Sequence, residues 1–182
     1  METALAWLGQ LFETLLSFIP HIKIVRPTHA GVKFRAGRYV HLMAHNNGCF
    51  NSGIHFYWPI LTEVEIVPIK RQTVNLVPQY ISTKDDVVVG VSGIVVYEVS
   101  DVVKLLTECF DYDDTVRDFS LAAIKNIIGR KTYKEIQENT KGFDIDLTVE
   151  LHESLDDYGI KIINATLTDF TKCRVFALWG GG

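Results

Sequence analysis

The chain has 182 residues, of which 47% are hydrophobic and 22% charged, so it is long enough to fold around a substantial core and is not expected to be disordered. Its formal net charge of −4 argues against a general nucleic-acid-binding protein. The three cysteines are far apart and odd in number, which argues against a disulfide framework and indicates a reducing compartment.

The charge is unevenly placed along the chain. No acidic residue lies between Glu13 and Glu63, and this window carries a formal charge of +5, so the rest of the chain sums to −9. The five basic residues are Lys23, Arg26, Lys33, Arg35 and Arg38. An anionic membrane surface attracts such a zone by on the order of 1 kcal/mol per basic residue, although a solvated basic face has the same pattern.

Residues 2–19 are predicted to form an amphipathic helix that ends at Pro20, because apolar residues recur at three- and four-residue steps. The helix would be about 27 Å long, which is marginal for a membrane span, and Glu13 would lie near the middle of the bilayer. Residues 1–25 are therefore interpreted as a membrane-associating helix, or as a hairpin that returns through residues 22–25. An ordinary core helix stays open as the alternative.

Short extended segments are predicted next, broken by turn-forming Asn, Gly and Pro. They are Gly31–Phe34, Arg38–Ala44, Ile54–Pro59, Glu63–Val67 and Gln72–Val77. The strongest strand signal is Asp86–Glu98, which is rich in β-branched residues and apolar on both faces. Its glycines, Gly90 and Gly93, indicate bulges or a close approach of another backbone.

The pattern changes to a helical period after Asp101, where Ser100 or Asp101 is expected to cap a helix. Helices are predicted at Val102–Cys109, from Asp114 or Thr115 to Ile128, at Tyr133–Glu138, and from a cap at Asp144 to Gly159. A strand at Ile160–Phe170 follows. Strands, then helices, then one strand predict an α+β fold with a strand-rich half at 31–100, a helix-rich half at 101–172, and an apolar and glycine tail at 173–182.

Candidate chemical groups are few. His41, His45 and Cys49 are metal-ligand types at four-residue spacing, but they fall in a strand-and-turn segment without an obvious fourth ligand, so metal binding is not expected. Histidines near a membrane could instead sense pH. Asp111, Asp113 and Asp114 are interpreted as a solvated loop and helix cap. No catalytic motif is present in the sequence, so we expect neither an enzyme nor a cofactor.

The aromatic run Phe56-Tyr57-Trp58 is open to two interpretations. It could be a belt at the headgroup level of a membrane, or it could be part of the core. Strand alternation predicts that Phe56 and Trp58 lie on one face and Tyr57 on the other.

Five sequence pieces occur in an order that resembles the SPFH (band 7; stomatin-prohibitin-flotillin) superfamily, and within it the stomatin-like members. They are VKFRAGR at 32–38, SGIHFYWP at 52–59, ISTKDDVVV with GIVVYEV at 81–99, AIKNIIG at 123–129, and DDYGIKI with LTDF at 156–170. Together they cover about residues 31–172. The chain departs from the family by ending without the long C-terminal coiled coil and by having Ser52-Gly53 in place of a proline-glycine pair.

The resemblance implies a non-enzymatic scaffold that is anchored to the cytoplasmic leaflet, forms a ring or cage, and organises lipid or partner membrane proteins. The expected membrane-binding residues are Trp7, Leu8, Leu11, Phe12, Leu15, Leu16, Phe18, Ile19, Lys23 and Arg26, with Arg35 and Arg38 as further contacts to headgroups. The tail residues Val175, Phe176, Leu178 and Trp179 could add a strand to a neighbouring copy, or could simply be frayed. The alternative function is a regulatory subunit whose first helix binds a membrane protease or channel.

Overall fold

The computed structural model describes residues 19–39, 49–50 and 52–173, which hold nine β-strands and four α-helices. The chain divides into two compact units, Met1–Lys70 (unit 1) and Arg71–Gly182 (unit 2). Several residues singled out in the sequence lie outside the described ones: Trp7, Leu8, Leu11, Phe12, Leu15, Leu16, Phe18, His41, His45, Val175, Phe176, Leu178 and Trp179.

Unit 1 is built from short antiparallel strands. The described ones are β1 (His21–Val25), β2 (His29–Arg35), β3 (Arg38–Tyr39), β4 (Cys49–Phe50), β5 (Gly53–Tyr57) and β6 (Thr62–Pro68). β2 pairs with β6 along its whole length and with β3 and β4 for two residues each. β1 and β5 pair with each other in a separate two-stranded ribbon.

The position of β1 gives the conformation of the predicted return after Pro20. Ile22, Ile24 and Val25 lie in a strand that is hydrogen-bonded to β5. The β-branched side chains of Ile and Val are well suited to this extended conformation. The first arm of the predicted hairpin lies outside the described residues, so the hairpin itself stays a prediction.

Unit 2 is an antiparallel sheet with helices inserted between its second and third strands. Its elements are β7 (Gln72–Ser82), β8 (Val88–Val99), α1 (Val102–Glu108), α2 (Tyr112–Arg130), α3 (Tyr133–Glu138), α4 (Thr140–Leu155) and β9 (Ile160–Lys172). The strand order is β7-β8-β9, so β8 is the central strand. This arrangement matches the predicted order of strands, helices and strand.

The core of unit 2 lies between one face of this sheet and the helices. Alternate residues of β8, including Val89, Val95 and Tyr97, are buried, and α4 contributes a stripe that includes Leu147 and Leu151. The backbone of β9 comes so close to Gly93 that a Cβ there would lie 2.9 Å from the Thr166 carbonyl oxygen. The prediction of a close approach at Gly93 is therefore confirmed.

The predicted end of β7 at Val77 is wrong. The strand continues through Pro78 to Ser82. Proline cannot donate a backbone hydrogen bond, but the pairing of β7 with β8 shifts register between Leu76 and Gln79, and β7 is an edge strand. A bulge at a sheet edge is a place where a strand tolerates proline.

Two predicted helix starts are also wrong. α2 begins at Tyr112, because the Asp111 carboxylate accepts a hydrogen bond from the Asp114 backbone N–H at 3.1 Å. α4 begins at Thr140 and is capped by Asn139, whereas Asp144 lies inside the helix. The Asp144 carboxylate instead accepts from the Leu167 backbone N–H on β9, at 3.0 Å. Each error arose because the sequence offers several capping residues within a few positions.

Candidate membrane-contacting surface

The ribbon formed by β1 and β5 has a regular antiparallel register. Ile22 lies opposite Phe56, and Ile24 lies opposite Ile54. Residues directly opposite each other in an antiparallel pair share one face, and alternate residues of a strand also share a face. These four side chains therefore form one continuous face of the ribbon, and the alternation places Trp58, just beyond β5, on the same side.

The side chains on this face are exposed. Their exposed fractions are 60% for Ile22, 68% for Ile24, 63% for Ile54, 64% for Phe56 and 54% for Trp58. We call these five residues the apolar ribbon face. Because Phe56 and Trp58 are both exposed, the interpretation of both as core residues is wrong. That they share one face stays a prediction from strand alternation, since Trp58 lies just beyond β5.

The opposite face of the ribbon is more polar and is partly covered. Lys23 lies opposite His55, and the rings of His21 and Tyr57 are 5.9 Å apart. Val25, at the end of β1, is buried with 2% of its surface exposed. The ribbon is thus amphipathic: its apolar face is exposed, and its more polar face is covered only in part, since His21 and Lys23 are exposed as well.

An outward apolar face of this kind is unusual in a soluble protein. Antiparallel sheets usually place the apolar face on the core and the polar face in water. Single exposed apolar residues are common, whereas a contiguous set of large ones marks a surface that contacts a membrane or another protein. The apolar ribbon face is therefore the strongest candidate for a binding surface in the described part of unit 1.

The sequence of unit 1 carries a net positive charge. Residues 1–70 carry six Lys or Arg and four Asp or Glu, for a formal charge of +2, so residues 71–182 carry −6. Lys23 lies within β1 and Arg26 follows it directly, and both are exposed. Lys23 lies on the opposite face from the apolar residues, and Arg26 follows the end of β1, so the ribbon combines an apolar face with basic side chains at its other face and its end. An anionic membrane surface likewise combines hydrocarbon with negative headgroups.

The comparison with protein families agrees with the order of the sequence motifs. Residues 23–176 match the family described as SPFH domain / Band 7 family, which is well over half of the chain. The chain belongs to this family. The SPFH match begins within β1, so the ribbon is part of the matched region.

The relatives of this SPFH chain include stomatins. It is 29% identical over 163 residues to an uncharacterized protein of Archaeoglobus fulgidus, and 29% identical over 148 residues to a stomatin homolog of Pyrococcus horikoshii. It is 25% identical over 148 residues to mouse stomatin. These alignments cover 90%, 81% and 81% of this chain but 63%, 53% and 50% of the respective relatives. The chain thus spans between half and two thirds of their length, and it is stomatin-like.

Three of the membrane-binding residues expected from the sequence lie in the described part of the SPFH chain. Ile19 is exposed by 54%, and Lys23 and Arg26 are exposed in and next to β1. The structure therefore places them on the surface near the ribbon. Whether they contact lipid stays a prediction, as it does for the residues before Ile19.

Sequence reasoning did not select Ile22, Ile24 or Ile54 as binding residues, and it left Phe56 and Trp58 undecided. The signal that could have found them is the alternation in HIKIV and GIHFYW, where apolar residues alternate with His and Lys. Alternation identifies an amphipathic strand but not which face is buried. Only the pairing of β1 with β5 shows that both apolar faces point outward together.

The described residues give little support for a metal site or for a membrane-spanning helix. Within residues 19–39, 49–50 and 52–173, no three His, Cys, Asp or Glu side chains are grouped so that they could hold a metal ion. His41 and His45 lie outside these residues, and for Cys49 only the backbone is described, so the histidine-cysteine spacing stays untested. No helix in the described ranges is long and apolar enough to span a bilayer.

Proposed function

We propose that this protein is a non-enzymatic, membrane-associated scaffold that binds the cytoplasmic leaflet, assembles with copies of itself into a ring or cage, and organises lipid or partner membrane proteins. The observation that supports membrane binding best is the apolar ribbon face, with its five large apolar side chains exposed in a ribbon segment that also carries the exposed Lys23 and Arg26. Its membership of the SPFH family and its likeness to stomatins agree with this function.

The proposed binding mode follows from the chemistry of the ribbon. Burying an isoleucine or phenylalanine side chain in an apolar medium stabilises the bound state by about 1.5–3 kcal/mol. The indole of Trp58 suits the headgroup level, where its N–H stays hydrated while its ring contacts hydrocarbon. Backbone N–H and C=O groups of the ribbon without a hydrogen-bond partner must remain at the headgroup level, because unpaired peptide groups are costly in hydrocarbon. The ribbon is thus proposed to lie in the interface without spanning it.

The basic residues are proposed to select anionic lipid. Lys23 and Arg26 would each contribute on the order of 1 kcal/mol near a negative leaflet. The predicted helix at residues 2–19 is proposed to insert beside the ribbon, which would give one chain two apolar contacts with the bilayer. Assembly would strengthen membrane binding, because a ring leaves the membrane only when all of its weakly bound copies dissociate at the same time.

Flotation of the full chain with liposomes tests this proposal. Vesicles of phosphatidylcholine, with and without phosphatidylserine, would be mixed with wild-type protein, Ile24→Ser and Ile145→Ser. Ile24 and Ile145 are matched, since both are exposed isoleucines (68% and 64%), but Ile145 lies on α4 in unit 2. We expect Ile24→Ser to weaken vesicle binding by about tenfold. Ile145→Ser should bind like the wild type.

Two outcomes would contradict the proposal. If the wild-type chain does not float with either vesicle, the ribbon and the N-terminal segment bind a protein, and the regulatory-subunit alternative becomes the better explanation. If both serine variants weaken binding equally, the ribbon is not the specific contact.

A further inference from the structure

A surface pocket lies in unit 1, where the ribbon meets the sheet built on β2. It has a volume of about 480 Å³, and its lining includes Tyr57 from β5, Phe34 from β2 and Glu63 from β6. We call it the turn pocket, because Ala36 and Gly37, in the turn between β2 and β3, also line it. Binding sites for small molecules typically have volumes of about 300–1,000 Å³, so the turn pocket is large enough for a lipid headgroup.

The walls of the turn pocket are set by backbone hydrogen bonds. The Ala36 backbone N–H donates to the Leu61 carbonyl at 3.0 Å, and the Thr62 N–H donates to the Trp58 carbonyl at 3.0 Å. Ala36 and Gly37 both have positive φ angles, of 51° and 72°, as in the tight turns that join twisted antiparallel strands. The pocket therefore has its shape before any ligand arrives, which lowers the cost of binding.

An aromatic residue and a carboxylate are neighbours in the lining. Phe34 lies directly opposite Glu63 in the antiparallel register of β2 and β6. Side chains opposed in this way share one face of the sheet, with Cβ atoms about 4.5–5.5 Å apart. Arg35, the next residue of β2, alternates to the other face. The ring of Phe34 and the carboxylate of Glu63 are thus presented together, without the neighbouring arginine between them.

The charge of the lining is negative. Glu63 is the one charged residue among the described residues that line the pocket. It is exposed, and within the described ranges it forms no ion pair with a lysine or arginine. An anionic ligand would meet this carboxylate without a compensating cation, whereas a cationic ligand would be attracted by it. The pocket therefore suits a positively charged group.

The aromatic residues indicate which kind of cation fits. Phe34 and Tyr57 both line the pocket and are half-buried. The face of an aromatic ring attracts a cation, and the characteristic ligand of sites that combine several rings is a quaternary ammonium group, such as choline. Two rings and one carboxylate in a single pocket are the groups that such a ligand requires.

The position of Tyr57 relates the turn pocket to the membrane. Tyr57 alternates with Phe56 along β5, so it belongs to the more polar face of the ribbon. With the apolar ribbon face against hydrocarbon, as proposed above, the polar face is directed toward the headgroup layer. A hydrocarbon chain in the pocket would bring apolar groups against the Glu63 carboxylate, which is unfavourable. A headgroup is therefore a better occupant than an acyl chain.

Two other surface pockets formed by described residues suit an ammonium group less well. A pocket of about 560 Å³ beside α1 has two aromatic lining residues, Phe119 and Tyr158, but Lys104 lines it as well. The lysine ammonium would repel a second cation. A smaller pocket of about 190 Å³, between α4 and β9, has no aromatic residue in its lining.

We propose that the turn pocket binds the trimethylammonium group of a choline lipid headgroup, with Glu63 as its counter-charge and the rings of Phe34 and Tyr57 as its walls. This site deepens the proposed function, on which it rests, since it names a lipid class that the membrane-bound chain recognises. Lys23 and Arg26 respond to the net charge of the leaflet, whereas the turn pocket selects one zwitterionic headgroup. An assembly of many copies would thus gather choline lipids beneath it.

Saturation-transfer NMR with glycerophosphocholine tests the site. This probe carries the headgroup without acyl chains, so it does not report on the apolar ribbon face. The full chain would be kept in a maltoside detergent, which has no ammonium group. We expect binding in the millimolar range, with the strongest saturation at the trimethylammonium protons. Absence of saturation transfer at tens of millimolar, or stronger saturation at the glycerol protons, would overturn the proposal.

A matched pair of glutamates tests the counter-charge. Glu63→Gln should weaken glycerophosphocholine binding by about tenfold, because it removes the charge and keeps the shape of the side chain. Glu65→Gln is the control: Glu65 is exposed on the same face of β6, two residues further on, but does not line the pocket. It should bind like the wild type. Equal weakening by both variants, or none by Glu63→Gln, would overturn the role of Glu63.

A second pair of variants tests the aromatic wall. Phe34→Leu removes the ring but stays apolar and should weaken glycerophosphocholine binding by about fivefold, whereas Phe34→Tyr keeps a ring and should restore it. Glycerophosphoethanolamine, which has a primary ammonium group, should bind the wild type about fivefold more weakly than glycerophosphocholine. Phe34→Leu should abolish that difference. Equal binding of the two probes by the wild type would overturn the assignment to choline.

Flotation separates this inference from the membrane proposal. Glu63→Gln should lower binding to phosphatidylcholine vesicles but not to phosphatidylglycerol vesicles, which carry no ammonium group. A wild-type chain that floats with vesicles but does not bind glycerophosphocholine would overturn the inference and leave the proposed function in place. A chain that binds glycerophosphocholine but floats with neither vesicle would contradict membrane binding and leave the headgroup pocket intact.

Discussion

Phe56 and Phe110 are both exposed phenylalanines, but they lie in opposite electrostatic surroundings. Phe56 belongs to a flat face of five apolar side chains in a unit with a formal charge of +2. Phe110 stands alone between two helices, surrounded by carboxylates, in a unit with a formal charge of −6.

The difference in surrounding charge indicates which kind of partner each phenylalanine can bind. A broad apolar face beside basic residues can contact many lipids at once, and it requires no matching shape. A single ring on a rigid acidic loop needs a pocket of defined shape and opposite charge, which a protein can provide and a bilayer cannot. Exposure alone does not separate the two residues, whereas the charge around them makes the ribbon face, and not Phe110, suited to an anionic bilayer.

The largest expected effect is on the free energy of unfolding, and it distinguishes a buried phenylalanine from the two exposed ones. Phe143 on α4 is fully buried, so Phe143→Ala should lower the free energy of unfolding by about 3–5 kcal/mol. Phe56→Ala and Phe110→Ala should each change it by less than about 0.5 kcal/mol, because neither ring is packed. Chemical denaturation followed by circular dichroism measures all three. A loss above about 1 kcal/mol for Phe56→Ala would mean that the ribbon face is structural.

The next effect compares the two exposed phenylalanines as membrane contacts. Phe56→Glu removes an apolar contact and adds a negative charge, so we expect vesicle binding to fall by about 100-fold. Phe110→Glu adds the same charge outside the ribbon and should leave vesicle binding nearly unchanged. Flotation of both variants with the same vesicles checks this, and an equal loss in both would mean that added negative charge, and not the ribbon face, controls binding.

The order of the elements could be predicted from the sequence, and so could most of unit 2. The spacing of Leu147, Leu151 and Leu155 predicts the buried stripe of α4, and all three side chains are buried. The bounds of Tyr133–Glu138 are confirmed. These predictions succeed because local periodicity and burial agree. The starts of α2 and α4 could not be fixed, because capping depends on which nearby carboxylate or amide reaches a free backbone N–H.

The candidate site could be predicted less well, because it depends on pairing between distant segments. β1 and β5 are about thirty residues apart, and neither segment alone shows which of its faces is covered. The apolar residues at 22–25 directly follow the apolar periodicity of residues 2–19, so the sequence alone favours a continuation of the N-terminal segment over a separate strand. A lone aromatic residue between two helices, such as Phe110, has no periodicity from which burial or exposure could be inferred.

A smaller effect concerns the basic residues beside the ribbon. Lys23→Ala and Arg26→Ala should each weaken binding to vesicles that contain phosphatidylserine by about fivefold, because each removes on the order of 1 kcal/mol. Lys125→Ala is the matched control, an exposed lysine on α2 in the acidic unit. With phosphatidylcholine alone, the three variants should bind alike. If Lys125→Ala weakens binding as much as Lys23→Ala, the attraction reflects net charge and not the ribbon.

The smallest effect concerns a carboxylate that stabilises a helix start in unit 2. At the start of α3, the Glu135 carboxylate accepts a hydrogen bond from the Thr132 backbone N–H at 2.8 Å, and this bond lowers the pKa of Glu135 below its ordinary value of 4.5. Because the folded-state pKa lies below that of the unfolded chain, the ionised group stabilises the fold above about pH 4.5. This contribution is lost as the pH falls through the folded-state pKa.

Glu135→Gln should therefore lower the melting temperature slightly at neutral pH, and the difference from the wild type should shrink as the pH falls below 4.5. Thermal unfolding followed by circular dichroism at several pH values measures this. Glu108→Lys, at the end of α1, is a control that should leave the melting temperature nearly unchanged, since a basic residue is favourable at a helix C-terminus. A melting-temperature difference for Glu135→Gln that grows toward acid pH would contradict the capping role, because an ionised cap can only lose its effect there.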